Sequence, residues 1–76
     1  MTEIRLDLRG LKCPLPALRT RKALAKAPPG TTILVECTDP MAAIDLPNLV
    51  RETGDVFESR EDAMGYAVFR IRKRSR

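Results

Sequence analysis

Residues 3–9 (Glu3-Ile4-Arg5-Leu6-Asp7-Leu8-Arg9) alternate strictly between polar and apolar, and a few residues later this strand pattern gives way to a helical one whose stripe is blurred by Leu18 and Ala25. The alternation places Ile4, Leu6 and Leu8 on one face, as in a half-buried strand. Gly10 permits the unusual backbone angles of a tight connection. From Pro14 to about Ala27 the chain turns to Ala, Leu, Arg and Lys, and Ala17, Thr20, Leu24 and Ala27 recur at helical spacing. Pro28-Pro29-Gly30 then stops the helix. Residues 31–38 are rich in β-branched types, so a second strand follows. A strand, helix and strand joined this closely form a right-handed crossover with its two strands parallel.

In the second strand Ile33, Val35 and Cys37 share one face and Leu34, Glu36 and Thr38 the other, which assigns Cys37 to the core. Asp39-Pro40 is a helix-start signature, Asp39 being placed to cap free amides and Pro40 to fit a first turn. A second start signal, Asp45 before Leu46-Pro47, predicts either a short turn at 40–44 followed by a helix at 45–53 or one kinked helix. Ile44, Leu46, Leu49 and Val50 supply its apolar side, and Gly54 is positioned to close it in a left-handed conformation. Residues 56–60 and 65–73 read as a hairpin around a polar turn at 61–64. The order β-α-β-α-β-β on so short a chain predicts an α/β fold, a two-layer sandwich with both helices on one face of a mixed four-stranded sheet. One domain is expected over 1–76, with residues 73–76 fraying as a basic tail.

Cys13 stands where the first strand gives way to the first helix, in Gly10-Leu11-Lys12-Cys13-Pro14-Leu15-Pro16. The positive end of a helix macrodipole favours a thiolate, the nucleophilic form of cysteine. Pro14 and Pro16 suit a first turn but offer no N–H, which leaves the amides of Leu15 and Ala17 as the nearest donors. Lys12, Arg9, Arg19, Arg21 and Lys22 are close enough in sequence to add positive potential, and the last four can also face a docking partner. A small buried hydrophobe beside a helix start is the alternative reading of Cys13. Parallel strands share a C-terminal edge, where open α/β sheets place their ligand sites, so Cys13 and Asp39 are expected to be neighbours. Asp39 is read there as a cap rather than a catalyst.

At 76 residues the chain buries about 60% of its unfolded surface and has no room for a deep enclosed site. No apolar run is long enough for a membrane span and no secretory signal pattern is present, so the expectation is a cytoplasmic protein. Two cysteines without histidine fall short of a structural zinc set, and no metal or cofactor is expected. Lack of histidine also excludes a Cys–His nucleophile pair. A glycine-rich phosphate loop is missing, and three aromatics (Phe57, Tyr66, Phe69) give weak support to direct nucleic-acid binding. Residues 1–26 carry seven Lys/Arg against two acids, whereas residues 36–62 carry eight Asp/Glu against two Arg. Such polarity can steer an acidic partner to one side. What remains is a thiol without a built-in base, which is suited to accepting and donating a group by exchange.

These residues resemble the TusA (SirA-like) family of small sulfur carrier proteins. Leu6 to Pro16 matches the family's leading segment with its Cys-Pro-x-Pro signature, Thr38-Asp39-Pro40 through Asp45-Leu46-Pro47 its second block, and Ile71-Arg72-Lys73 its closing strand. The resemblance implies that Cys13 carries sulfane sulfur as a persulfide. It would receive that sulfur from a cysteine desulfurase or rhodanese-like donor and pass it to an acceptor protein, for tRNA 2-thiouridine synthesis or another sulfur-transfer route. Gly10, Lys12, Pro14, Pro16 and Asp39 would shape the site, and a monomer suits such a shuttle. Leu15 departs from the acidic residue common between the prolines of tRNA-thiolation members, and Asp55 from the histidine often found after Gly54. A basic protein- or RNA-binding module with a structural Cys13, and a Cys13–Cys37 redox pair, are the rival readings.

Overall fold

The computed structural model describes residues 3–74. In chain order it contains β1 (Glu3–Leu8), α1 (Leu15–Lys26), β2 (Thr32–Cys37), α2 (Ala42–Thr53), β3 (Val56–Ala63) and β4 (Tyr66–Arg72). The four strands form one mixed sheet in the order β1-β2-β4-β3. β1 and β2 are parallel, and both β2–β4 and β3–β4 are antiparallel. Alternation does what the sequence predicts: Leu8, Ile33, Val35, Cys37, Phe69 and Ile71 are buried and pack with Leu24 and Ala27 of the α1 segment and Leu46, Leu49 and Val50 of α2. On the opposite face of β2 the carboxylate of Glu36 is also buried, bracketed by Arg5 and Arg9.

Helix α1 buries Pro16, Thr20 and Leu24 along one stripe, and the Thr20 hydroxyl donates to the Pro16 carbonyl at 2.7 Å. Residues 40–53 resolve the two start signals as one run. Turn bonds from the amides of Ala42 and Ala43 to the carbonyls of Asp39 and Pro40 lead directly into α2, which continues through Pro47. A proline removes one N–H, and the burial of Ala42, Leu46, Leu49 and Val50 on a single face holds the helix together across that loss. Ile44, expected on the apolar side, lies off that face and is 57% exposed. Met41, not Asp39, occupies the N-cap position, and no side chain caps the helix there.

The hairpin turn is shorter than the sequence pattern predicts. Glu61 and Asp62 pair with Val68 and Ala67, leaving only Met64 and Gly65 between the strands. β3 is an edge strand, where charged side chains reach water without leaving the ladder, and Arg60 and Asp62 form an ion pair along it. Lys73 and Arg74, expected to fray, are held: Lys73 exchanges backbone bonds with Gly30 and Thr31, and the Arg74 amide donates to Asp55 at 2.9 Å. The remainder of that predicted tail, residues 75–76, lies outside the described residues.

Gly54 closes α2 at φ 81°, and its N–H returns to the Val50 carbonyl. A Cβ at this position would also come within 3.0 Å of the Arg74 guanidinium, which has freedom to move. Gly54→Ala is therefore expected to cost about 1 kcal/mol from the left-handed backbone, with asparagine costing less. The midpoint of urea unfolding measures both.

Candidate functional site

The parallel register brings the site together. Leu8 lies opposite Cys37, so β1 and β2 leave the sheet at the same level and their following loops run side by side. Two bonds tie those loops together: the Gly10 amide donates to Thr38 Oγ1 at 2.9 Å, and the Cys13 amide donates to Asp39 Oδ2. The other Asp39 oxygen accepts the Met41 amide at 3.0 Å. Asp39 thus braces two chain segments with one carboxylate instead of capping α2. Its neighbourhood to Cys13 is the one the strand order implies.

Gly10 adopts φ 87°, which lets the chain double back from β1. The Lys12 carbonyl accepts the Leu15 amide at 2.8 Å, so one of the donors expected to face an anion at Cys13 is already engaged. The Cys13–Pro14 peptide bond is cis, Pro14 stands at the N-cap of α1, and Pro16 is buried under the helix. Cys13 itself is exposed, which removes the reading of it as a buried hydrophobe. It opens onto a shallow groove of about 300 Å³ between the two helices, lined by Pro14, Ala17, Leu18, Arg21, Asp45, Leu49 and Glu52.

Sequence proximity mispredicts the electrostatics around the thiol. Arg9 turns to Asp7 at 2.8 Å and to Glu36 at 3.8 Å, with its guanidinium over the Tyr66 ring. Arg21 lines the groove but pairs with Glu52 at 2.8 Å, and Arg19 and Lys22 are exposed on α1. The group that meets Cys13 Sγ is Asp45, whose Oδ2 accepts the thiol hydrogen at 2.9 Å. That bond, partial desolvation and the negative charges of Asp45 and Asp39 all hold the thiol above its ordinary pKa. The expectation of an activated thiolate is therefore corrected to a protonated thiol at rest. Asp45 is the site residue that sequence reasoning missed. Its i+3 spacing from Ala42 put it beside the buried face of α2, and it lies in the second block that resembles the family.

Cys37, in contrast, is buried in the core, and desolvation followed by the charge of Asp39 pushes its thiol up to about 11. A buried neutral thiol is a poor resolving partner for Cys13. No helix among the described residues is long and apolar enough to cross a membrane.

The chain is similar to several proteins described as sulfur carriers. A protein described as a putative sulfur carrier protein, from Neisseria meningitidis serogroup A, is 49% identical over 51 residues, covering 67% of this chain and 69% of its own. The sulfur carrier protein TusA of Allochromatium vinosum is 39% identical over 69 residues, 90% of each chain. A putative sulfur carrier protein of Archaeoglobus fulgidus is 38% identical over 93% of this chain and 96% of its own. Among solved structures, the SirA-like protein from Desulfitobacterium hafniense superposes with a TM-score of 0.82 at 26% identity, covering 95% of this chain and 99% of that one. A family model described as Sulfurtransferase TusA matches residues 4–73, and with nearly the whole chain so matched this protein belongs to the TusA family of sulfur carriers.

Proposed function

We propose that the chain is a sulfur carrier in which Cys13 holds sulfane sulfur as a persulfide and relays it between two partner proteins. The observation that carries this reading is an exposed cysteine at the mouth of an open groove, in a chain that has no histidine to make it a self-sufficient catalyst. In loading, Cys13 first gives its proton to water, and Sγ as the thiolate attacks the outer sulfur of a donor persulfide. The Sγ–S bond forms as the donor S–S bond breaks, and the electron pair leaves on the donor's own cysteine sulfur. No oxidant is consumed, and the same exchange run towards an acceptor thiolate releases the sulfur.

Donor and acceptor are proteins in this reading: a cysteine desulfurase or rhodanese-like enzyme upstream and an acceptor sulfurtransferase downstream. Four exposed apolar side chains on the two helix starts, Leu15, Leu18, Met41 and Ile44, support protein docking around Cys13. Exposed Arg19 and Lys22 on α1 add positive charge for an acidic partner. Synthesis of 2-thiouridine in tRNA is one destination for the sulfur, and a reducing cytoplasm suits a carrier with two free thiols. RNA docking through the basic segments has less support, since Arg9, Arg21, Arg60, Arg70 and Arg72 are all paired with carboxylates.

Incubation with a cysteine desulfurase and cysteine tests the proposal. Intact mass is expected to rise by one sulfur atom, and a reducing agent to reverse the gain. An unchanged mass while the desulfurase carries its own persulfide would remove the reading.

A further inference from the structure

The hydrogen bond from Cys13 to α2 is one that only the unloaded thiol can donate. We propose that Asp45 is a positioning residue that latches the unloaded Cys13 thiol, holding it protonated and turned into the α1–α2 groove, and that loading releases the latch. The inference rests on the carrier reading and names how its site is regulated.

The latch depends on one hydrogen. Sγ of the free cysteine donates to Asp45 Oδ2 at 2.9 Å, and the thiol thereby leans on α2 although it is attached at the start of α1. Once a second sulfur is attached, Sγ has no hydrogen left to donate. A persulfide is also more acidic than a thiol, so the loaded group is largely anionic and the Asp45 carboxylate repels what it formerly held. The outer sulfur then points to solvent, where a partner's thiolate reaches it.

The other charged groups around Sγ do not supply a counter-effect. From the β2–α2 connection, Asp39 binds the Cys13 amide and adds a second negative charge. From α1, Arg21 faces the groove but is engaged by Glu52 of α2. Lys12 is exposed in the preceding loop and is not among the groups lining the groove. Asp45 and Asp39 therefore set the local potential, and of the two only Asp45 touches the sulfur.

Alkylation of the unloaded protein by iodoacetamide, followed by intact mass across a pH series, tests the latch without any sulfur transfer. Asp45→Asn keeps an acceptor oxygen near the thiol but removes the charge, and its profile is expected to move to lower pH with severalfold faster alkylation at neutral pH. Asp45→Ala should move at least as far. Asp62→Asn makes the same change of net charge on the β3 edge and should leave the profile in place. Asp45 profiles that coincide with the native one, or shift no more than Asp62→Asn, overturn the proposal. A measurement on the native chain guards against misfolded variants: the Cys13 Cβ carbon resonance should titrate at higher pH in the folded chain than after unfolding in urea. A Cys13 titration that stays in place on unfolding overturns it equally. Because sulfur loading is read separately by mass, failure of the latch and failure of the carrier reading are distinguishable.

Discussion

Cys13→Ser is expected to remove sulfur loading entirely while the fold persists. A serine hydroxyl at this exposed position can still donate to Asp45, and the Cys13 amide bond to Asp39 is independent of the side chain. A hydroxyl cannot form the Sγ–S bond, so no residual route through this residue exists. Cys37 is no substitute: it is buried beneath the sheet end, and desolvation keeps its thiol protonated. Cys37→Ala is accordingly expected to load like the native chain and to lose about 1 kcal/mol of stability from the trimmed core. Intact mass after desulfurase treatment checks both variants, with circular dichroism as the folding control. Loading of Cys13→Ser to the native level, or loss of loading in Cys37→Ala, contradicts the assignment of the sulfur to Cys13.

The parts of this molecule that were legible in the sequence share a cause. Alternation in β1 and β2 and the parity of Cys37 are local patterns, and local patterns survive into the fold. The pairing of Cys13 with Asp39 was also within reach, because a right-handed crossover leaves few ways to arrange two parallel strands and their exits. What escaped depends on how the helices lie against each other. Asp45 looked like a cap for a new helix, since Pro47 argued for a break; the packing of Leu46, Leu49 and Val50 overrode that signal and turned Asp45 towards α1. The charge around Cys13 was misjudged for the same reason. Of the cations near it in sequence, Arg9 is held by Asp7 and Glu36 and Arg21 by Glu52, and the acids of α2 and its entry arrive from residues more than twenty positions away. The hairpin turn was misplaced because charged residues on an edge strand carry the composition of a loop.

The second large effect is on stability, and it centres on Phe69 in β4. Phe69 is 1% exposed and is the largest of the fully buried side chains, at the centre of a small core. Phe69→Ala should cost about 3–5 kcal/mol through lost transfer energy and the cavity left behind. A domain of this size holds only about 5–10 kcal/mol in total, so the thermal midpoint should fall on the order of 15 °C or more. Part of the loss belongs to a pair. Phe57 on β3 meets Phe69 edge to face, with ring centroids 6.1 Å apart at 63°, and Arg60 sits over the Phe69 ring at 5.8 Å. A double-mutant cycle of Phe57→Ala with Phe69→Ala is expected to give a coupling of about 0.5–1.5 kcal/mol. Val56→Ala, at a 37% exposed position on the same edge strand, should cost well under half as much as Phe69→Ala. Urea unfolding of these five proteins measures the free energies, and thermal unfolding measures the midpoint. A Phe69→Ala loss below about 1 kcal/mol would mean that the sheet is not anchored on this ring. The site depends on that anchoring, because Phe69 pairs with Val35 on β2, two residues before the strand end from which Thr38 and Asp39 reach Gly10 and Cys13.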